Sequence, residues 1–544
     1  MAPTPGLNGQ AKDVRALEES YDVAIVGGGI VGTGIARDAS LRGLKVLLLE
    51  QEDFGYGTTA RSSRLVHGGL RYLAHCDFGL VRQDMKEREL LLRKAPHLVR
   101  PISFLIPVYD SGVFRRLYLR AGLMLYDLLA FGSSLPHNAW MPRNDVLEME
   151  PGLECRELRG AFRYADAQVD MPERLCIENV LDAVAHGARA FNYMRVAKLV
   201  RNGNVVAGVE VDDLVGGDRY TVKARVVVNA AGPWAAAVAG DQASLKMLRL
   251  SQGSHIVTES LSRNAVVTFS QRDGRLLFII PWLGQSLVGT TDIEYHGDPA
   301  AVRPTLAEVS YLLESAEKLC SAGGSSHPIH YALAGLRALA SKGGTSTSNV
   351  SRTHKIIVHE RQGGPSGLLS VFGGKLTGYR HIAQQVTDEV CALLGHTAHC
   401  RTAEEPLPGA RDWKRPTSDE VERVARRHGL MQKTVVHLHD LYGSKADDVL
   451  ALIEQDSGAA KPLYSGSEEV IAQVRYAVIH EGARRVADVL LRRCTSGLLS
   501  GQGRAGAPIV AGEMGRLLGW GQDRVDEEVC AYLATLDRDF PAVI

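Results

Sequence analysis

The segment from Val23 to Glu50, VAIVGGGIVGTGIARDASLRGLKVLLLE, constrains the fold of this chain more than any other. It is typical of a buried strand over residues 21–26, a glycine-rich turn, a helix that stops near Gly43, and a second buried strand that ends at Glu50. A β-α-β unit of about 30 residues of this kind belongs to a parallel sheet with helices packed on it. We therefore expect an α/β fold of the Rossmann type.

The glycines of the turn fit a dinucleotide-binding loop. Gly27 would allow the tight turn, Gly29 would let a pyrophosphate approach the backbone, and Gly32 would let the helix pack closely on the sheet. The helix N-terminus would then offer free N–H groups to the phosphates. Glu50 lies roughly 20 residues further on, where a carboxylate grips ribose hydroxyls. The alternative is a purely structural turn, and the motif alone does not separate NAD from FAD.

A segment rich in small hydroxyl residues follows, TTARSSRLVHGGLRYL over residues 58–73. Hydroxyl and backbone N–H groups suit further contacts with phosphates and a flavin. An ordinary Ser/Thr loop is the alternative for such a composition.

The remaining chain divides by pattern into a mixed region and a helical region. Further strands are expected at 205–211 and 224–232, and residues 245–300 alternate short strands with turns, as in an antiparallel sheet. Helical patterns begin after a Pro-rich linker, with a capping sequence at Thr417 or Ser418. They cover residues 418–428, 432–455, 467–496 and 523–537.

These patterns predict three parts. They are a flexible leader at 1–19, a nucleotide-binding domain at 20–400 that is assembled from separated segments, and a helical C-terminal domain at 401–544. A substrate-binding antiparallel sheet, approximately residues 75–180 and 250–335, would be inserted into the nucleotide-binding domain.

Composition excludes some classes of function. Lys and Arg together number 62, as do Asp and Glu, and the formal charge of zero argues against a nucleic-acid binder. No uncharged apolar run approaches the roughly 18 residues of a membrane span, and the N-terminus lacks the apolar core of a signal peptide. The two Cys and two His of residues 391–400 lack paired metal-ligand spacing, so we expect no metal site.

Two amphipathic or basic stretches admit two interpretations each. Residues 114–132 could lie on a membrane surface, but their periodicity favours a helix packed in the core. The arginines at 484, 485, 492 and 493 could meet anionic lipid, but a solvated helix face is favoured.

Several longer motifs carry a resemblance to a known family. Val23–Glu50, HGGLRYL, NAAGPWA, GSHIV, GTTDIEYHGDP and SVFGGKLTGYR together resemble the FAD-dependent glycerol-3-phosphate dehydrogenases, which belong to the D-amino-acid-oxidase-like flavoproteins. The resemblance implies FAD as cofactor. It also implies oxidation of sn-glycerol 3-phosphate to dihydroxyacetone phosphate, with a hydride passing from C2 to flavin N5 and the electrons continuing to a quinone. A cytoplasmic protein bound peripherally to the inner face of the cell membrane is expected, and a homodimer remains open.

The resemblance also implies roles for individual residues. His255 would take the hydroxyl proton and Arg337 would share the catalytic role. A substrate phosphate calls for several cations, and arginine grips two oxygens at once. The substrate-binding set is Arg71, Tyr72, Arg337, Arg352 and Lys375. The cofactor-binding set is Gly27, Gly28, Gly29, Gly32, Glu50, Thr58, Thr59, Ser62, Ser63, His67, Val196, Gly232, Gly374, Lys375, Leu376 and Thr377.

The chain departs from the family pattern at Ala338, where Pro is frequent, at Arg61, where small residues are common, and at Arg64, where Lys is frequent. Arg61 puts the local FAD contacts in question. Three other functions stay open: a glycerol-phosphate oxidase that uses O2, an amino-acid oxidase, and a non-catalytic flavin-binding redox sensor. Three converging arginines argue against the amino-acid oxidase, and His255, Arg337 and Lys375 together argue against the sensor.

Overall fold

The structure is a computed structural model that describes residues 7, 14–70, 73, 77–109, 113–240, 247–270, 272–320, 328–340 and 354–542. Two large sheets and a group of C-terminal helices make up this part of the chain. The predicted fold class is confirmed: an α/β nucleotide-binding sheet, a mainly antiparallel second sheet and a helical C-terminal domain. The exact domain boundaries stay predictions.

The strands, in chain order, are β1 Ser20–Val26, β2 Val46–Leu49, β3 Leu65–Val66, β4 Val99–Val108, β5 Ala139–Pro142, β6 Gly160–Val169, β7 Arg189–Phe191, β8 Met194–Asn202, β9 Val205–Asp213, β10 Arg219–Asn229, β11 Leu248–Thr258, β12 Ala265–Phe269, β13 Leu276–Trp282, β14 Gln285–Gly289, β15 Ile293–Tyr295, β16 Ile329–Ala340, β17 Lys355–Val358 and β18 Leu368–Phe372.

The α-helices are α1 Ile30–Leu41, α2 Phe78–Lys94, α3 Val113–Leu129, α4 Arg143–Met149, α5 Pro172–Ala185, α6 Ala235–Ala239, α7 Leu306–Leu319, α8 Tyr379–Leu394, α9 Ser418–His428, α10 Gln432–Tyr442, α11 Ala446–Gln455, α12 Ile471–Ile479, α13 Val486–Arg492, α14 Ala507–Leu518 and α15 Gln522–Asp539.

The first sheet has the order β17-β18-β10-β1-β2-β7, and β9 joins it through β10. The pairs from β18 to β7 are parallel, with Ile25 of β1 in register with Val228 of β10 and Leu48 of β2. These strands are buried along almost their whole length, because both faces of the sheet are covered. Helices α1, α5 and α8 pack on one face, and β8, β9 and residues 14–18 pack on the other. Continuous apolar runs such as VLLL therefore suit this position.

The second sheet contains ten strands among the described residues, and its central order is β15-β11-β14-β13-β12-β4-β6-β3. All of its pairs are antiparallel except that of β12 with β4. Its strands come from two regions of the chain, β3 to β6 and β11 to β16. The inserted antiparallel sheet predicted from the sequence is thus present, and β11 and β16 carry its most extensive pairing.

The C-terminal helices follow the predicted pattern in part. Helix α9 spans Ser418–His428 as predicted, and Thr417 begins it with a capping box to Glu420. The predicted helix 432–455 is two helices, because the chain turns at Gly443 with φ of 57°. Helix α14 was not predicted. Inside the predicted leader, residues 14–18 form a 3-10 helix.

The interpretation of the basic stretch as a solvated helix face was wrong for two of its arginines. Arg492 and Arg493 are buried, and both form ion pairs with Asp53 from the loop after β2. Burial of a guanidinium requires a partner, and the partner lies more than 400 residues away in the sequence.

Helix α3 was expected to pack in the core, and this holds for only one of its faces. Leu123 and Tyr126 are buried, but the opposite face exposes the apolar side chains of Leu117, Tyr118, Met124 and Leu128. Phe131, just beyond the helix, is 93% exposed. A contiguous exposed apolar surface of this kind marks an interaction site more often than a solvated face.

The described part of the chain contains no helix that is both long enough and apolar enough to cross a membrane.

Candidate active site

A deep cleft lies at the carboxyl ends of the parallel strands β1, β10 and β18, the edge at which open α/β sheets bind their ligands. It contains about 1860 Å³ of empty space, part of which is open to solvent. Three distant segments line it: the glycine turn after β1, the loop at 56–67 and the turn after β18. The predicted cofactor-site residues that line it are Gly27, Gly29, Glu50, Thr58, Thr59, Ser62, Ser63, His67, Val196, Gly232, Gly374, Lys375, Leu376 and Thr377.

The remaining predicted glycines of the first turn, Gly28 and Gly32, pack behind the cleft rather than lining it. A Cβ on Gly32 would overlap the carbonyl oxygen of Gly27. Gly27 itself has φ of 107°, and a Cβ there would lie 2.7 Å from the carbonyl oxygen of Ala230. The turn, the helix and the end of β10 therefore meet backbone to backbone, which only glycine permits here.

The start of α1 faces the cleft. Gly29 is the N-cap, and a Cβ built on it would meet only the Thr59 hydroxyl, at 3.6 Å. That hydroxyl accepts the N–H of Ile30 at 3.1 Å, and the Thr58 hydroxyl donates to the carbonyl of Leu336 at 2.6 Å. The two threonines thus tie the loop to α1 and to β16, and both line the cleft.

Glu50 lies at the end of β2 and closes the other side of the turn. Its carboxylate accepts the N–H of Gly28 at 2.5 Å and the N–H of Glu52 at 2.8 Å. Burial raises the pKa of Glu50 to about 7, against the lowering effect of these two bonds. Glu50 and Val196 both line the cleft, and the role of the carboxylate as an acceptor for ribose hydroxyls stays a prediction.

The second glycine turn follows β18. Gly373 and Gly374 have φ of 76° and 110°, and helix α8 begins shortly afterwards at Tyr379. Thr377 connects this turn to the loop at 56–67. Its hydroxyl accepts the N–H of His67 at 3.0 Å and donates to the His67 carbonyl at 3.3 Å. The two predicted glycine turns therefore border one cleft.

Lys375 is held at the cleft by an acidic partner that the sequence did not reveal. Its ammonium group lies 2.6 Å from the carboxylate of Asp84 on α2. Burial raises the pKa of Asp84 to about 6, although the neighbouring Lys375 lowers it. This ion pair joins α2 to the second glycine turn, and Asp84 balances the charge of Lys375.

His255 lies on β11 directly opposite Gly289 of β14, and a Cβ on Gly289 would overlap the imidazole ring. The imidazole is buried, and its Nε2 lies 2.9 Å from the Ser63 hydroxyl. Burial, with the charges of Arg337 and Arg64, lowers the pKa of His255 to about 3. This pKa lies far below the ordinary histidine value near 6.5, so the ring is neutral at physiological pH.

Arg337 lies on β16 opposite Ser251, and its guanidinium extends along the sheet over Gly253. A Cβ on Gly253 would overlap that guanidinium. The group donates to the Thr290 hydroxyl at 2.9 Å, and the carboxylate of Asp292 lies 3.6 Å from it. Strand register thus brings the two predicted catalytic side chains, His255 and Arg337, to one face of the second sheet.

A second cavity adjoins the cleft at this face. Ser63, Leu65, His67 and Arg337 line both spaces. The rest of the second cavity is mainly apolar and includes side chains of α3, β4, β6 and β13. Its polar lining residues include Asp166, Asp273, Arg275, Thr290, Thr291 and Asp292. A ligand in the second cavity would therefore contact the same arginine as a ligand in the cleft.

Three residues of the predicted substrate set, Arg71, Tyr72 and Arg352, lie outside the described residues. Arg61, the departure that questioned the cofactor contacts, lines the cleft, but its guanidinium pairs with Asp539 of α15 at 2.9 Å.

Sequence reasoning missed the polar residues that hold Arg337. Ser251 donates to Asp292, and Arg337 reaches both of them. The GTTD motif contained the signal, since it places Thr290 and Asp292 just after a strand, but its partners depended on strand pairing that the sequence did not show. Sequence reasoning also missed Gly253, which lies two residues before His255 on the same face of β11.

The cleft fits a flavin dinucleotide on its own features. Two glycine turns border it, a helix N-terminus faces it, and the Glu50 carboxylate lines it near the end of β2. The family model described as FAD dependent oxidoreductase matches residues 22–380, and that of the C-terminal domain of alpha-glycerophosphate oxidase matches residues 400–525. The chain belongs to the FAD dependent oxidoreductase family, among its glycerol-3-phosphate dehydrogenases.

Relatives support this membership along nearly the whole chain. The glycerol-3-phosphate dehydrogenase of Synechocystis is 34% identical over 96% of this chain and 97% of its own length. The aerobic glycerol-3-phosphate dehydrogenase of Escherichia coli is 34% identical over 88% of this chain and 95% of its own. The structure of the Bacillus halodurans glycerol-3-phosphate dehydrogenase, complexed with FAD, matches with a TM-score of 0.78 at 28% identity, and 99% of each chain is covered. FAD is the cofactor of this family, and the predicted resemblance is confirmed.

Replacement of Gly253 by Ala tests whether Arg337 needs the open surface above β11. The new methyl group would displace the guanidinium, so we expect the rate of flavin reduction by substrate to fall on the order of 100-fold, as misplacement of a reacting group by about 1 Å can do. Gly512→Ala, at an exposed helix position with open space around it, is the control and should leave the rate unchanged. Equal rates in the two variants would contradict the assignment of Arg337.

The low pKa of His255 predicts a pH dependence of stability. Below pH 6.5 the unfolded chain binds a proton at this histidine, and the folded chain does not. The contribution of the neutral ring to the free energy of unfolding is therefore complete above pH 6.5. It is lost at up to about 1.4 kcal/mol per pH unit as the pH falls toward 3. The melting temperature of His255→Gln should therefore fall less than that of the wild type between pH 7 and pH 5.

His296→Gln is the control for this comparison, since His296 is 81% exposed and should follow the wild type. The contrary result is that the melting temperatures of His255→Gln and wild type differ by the same amount at both pH values. It would show that the pKa of His255 is not lowered by folding.

Proposed function

We propose that this chain oxidises sn-glycerol 3-phosphate to dihydroxyacetone phosphate and passes the electrons to a membrane quinone. The observation that carries the proposal is the position of His255 and Arg337 on neighbouring strands, at the wall where the cofactor cleft meets a second cavity. The printed names of the relatives point to the same substrate.

In this proposal Arg337 binds oxygen atoms of the substrate. Its planar fork suits a phosphate or the alkoxide that develops at C2, and it already lies among hydroxyl groups that fix its direction. Lys375 lines the same cleft, where it is paired with Asp84, and is proposed to bind the substrate there. Arg71, Tyr72 and Arg352 remain proposed members of the phosphate site.

His255 is the proposed acceptor of the proton from the C2 hydroxyl. A base must be unprotonated before the reaction, and the low pKa of His255 keeps it so. A phosphate dianion beside Arg337 offsets part of the positive charge that lowers this pKa, so substrate binding raises the basicity of the ring. Ser63 holds the ring through Nε2. FAD bound in the cleft would supply the hydride acceptor, N5 of its flavin ring.

The quinone is proposed to enter from the surface of α3. The exposed apolar side chains of this helix form a face, and Tyr118 of the same helix also lines the second cavity, which reaches Arg337. Arg116 stacks on Trp140 beside this face, 4.6 Å from its ring centroid, and adds the positive charge that favours anionic lipid. Peripheral contact with the membrane and a quinone path would thus share one helix.

An oxidase that reduces O2 is the second candidate, because the model that matches residues 400–525 is described from an alpha-glycerophosphate oxidase. The two differ only in the electron acceptor. Peroxide released at the rate of substrate turnover would favour the oxidase, and turnover that depends on added quinone would favour the dehydrogenase.

Anaerobic mixing of the FAD-loaded protein with glycerol 3-phosphate should bleach the flavin absorbance, and unphosphorylated glycerol should not. Arg337→Lys should slow the bleaching on the order of 100-fold, because lysine cannot reproduce the paired donors. Arg249→Lys is the matched control, since Arg249 lies on the adjacent strand and is partly exposed. A wild-type protein that stays yellow would favour the non-catalytic flavin sensor.

Removal of apolar side chains at the end of α3 and just beyond it should weaken membrane attachment. Leu128→Asp combined with Phe131→Asp should lower the fraction bound to sedimented phospholipid vesicles by at least about tenfold, because two large apolar groups no longer leave water. Leu306→Asp, at a position 78% exposed on α7, is the control and should bind as the wild type does. Equal losses in both proteins would place the attachment site elsewhere.

A further inference from the structure

The loop between β2 and β3 is held by C-terminal helices at both of its ends. At its start, the carboxylate of Asp53 is completely buried and lies 2.6 Å from the guanidinium of Arg492; Arg493 also donates to it, at 3.0 Å. Asp488, also on α13, receives the Tyr193 hydroxyl at 2.5 Å and so fastens the neighbouring segment before β8. The first anchor is therefore a buried cluster of charges rather than a surface ion pair.

The second anchor lies at the other end of the same loop. Arg61 donates to Asp539, the last residue of α15, at 2.9 Å, and both side chains are almost fully buried. Arg303 and Arg538 pair with the same carboxylate. Beyond the helix, the carbonyl of Pro541 accepts the N–H of Ala332 on β16, so the end of the chain is fixed to the strand that carries Arg337.

An aromatic ring connects the two anchors. Tyr56 lies midway along the loop, with the guanidinium of Arg61 5.1 Å and that of Arg492 5.9 Å from its ring centroid. One arginine belongs to the second anchor and the other to the first. Both ends and the middle of the loop thus contact side chains whose positions depend on α13 and α15.

The stretch between the anchors is a wall of the cofactor cleft. Tyr56, Gly57, Thr58 and Thr59 line it, and the Thr59 hydroxyl receives the first N–H of α1. Any movement of this stretch would change both the shape of the cleft and the start of the helix that faces the pyrophosphate site. The position of the loop is therefore a part of the geometry that binds FAD.

Buried ion pairs of this kind are costly to break. When one partner is removed, the other charge remains desolvated and uncompensated, and the local structure must open to hydrate it. At Asp539 three arginines would lose their shared carboxylate at once. The loop at 53–61 is then the segment free to move, since it carries no strand or helix of its own.

We propose that the C-terminal helices set the affinity for FAD by clamping the loop at 53–61, with Asp539 as the positioning residue at one end and the Arg492–Asp53–Arg493 cluster at the other. This assigns a role to the helical C-terminal domain, and it depends on FAD binding but on neither the substrate nor the electron acceptor. By thermodynamic linkage, FAD must in turn stabilise the docking of α13 and α15.

Asp539→Asn tests the clamp with the closest isostere. We expect the dissociation constant of FAD, measured by quenching of flavin fluorescence on titration of the FAD-free full-length protein, to rise at least about fivefold, the lower limit of typical coupling between sites. Asp537→Asn is the matched control: Asp537 is on the same helix, 69% exposed, and pairs with the exposed Arg504, so FAD affinity should not change.

A merely structural role for Asp539 would lower the melting temperature of the FAD-free protein and leave the dissociation constant of FAD at the wild-type value; that result would overturn the proposal. Amide hydrogen exchange of the wild-type protein supplies the second test, and it requires no variant to fold. FAD should slow exchange at the C-terminal half of α15 and in α13 by about fivefold or more, whereas unchanged exchange there would also overturn the proposal.

Discussion

The cofactor half of the structure depends on a contact between backbones at the point where β1, α1 and β10 meet. Gly27 touches the end of β10, and Gly32 of the helix lies against the carbonyl of Gly27, with no space for a methyl group at either position. This approach sets the angle at which α1 leaves the sheet. The N-terminus of α1 is thereby directed into the cleft, which the loop at 56–67 and the second glycine turn also line.

The substrate half depends on strand register in the same way. Ser251, Gly253 and His255 alternate along one face of β11, and Arg337 enters that face from the paired strand. Two glycines leave room for the two functional side chains, Gly253 under the guanidinium and Gly289 under the imidazole. The resulting surface is positive and dry enough to keep His255 neutral, which suits a site that awaits an anionic substrate with a proton to lose.

Local patterns predicted those parts of the structure whose causes are local. The first β-α-β unit, the capping box at Thr417 and the helix that follows it all came from residues within a few turns of one another. The resemblance to a known family gave the residues of the cleft. Break points such as Gly443 were less visible, because a single glycine is tolerated in many helices until tertiary packing bends the chain there.

Features set by distant partners could not be predicted. Arg492 and Arg493 looked like solvated residues because nothing near them in the sequence shows that Asp53 will lie between them. The apolar face of α3 was assigned to the core because periodicity shows that a face is apolar but not what covers it. The low pKa of His255 likewise arises from burial and from two arginines on other segments.

We propose that two glycine turns, far apart in the sequence, bind opposite ends of one FAD and leave its ring beside His255 and Arg337. A crystal structure of the protein loaded with FAD and a non-oxidisable glycerol phosphate analogue tests it most directly. We expect the pyrophosphate at Gly27–Gly29, the flavin ring at Gly374–Thr377, and the phosphate analogue in contact with Arg337. A flavin ring that faces away from β11 and β16, or an analogue bound without any contact to Arg337, would contradict this arrangement.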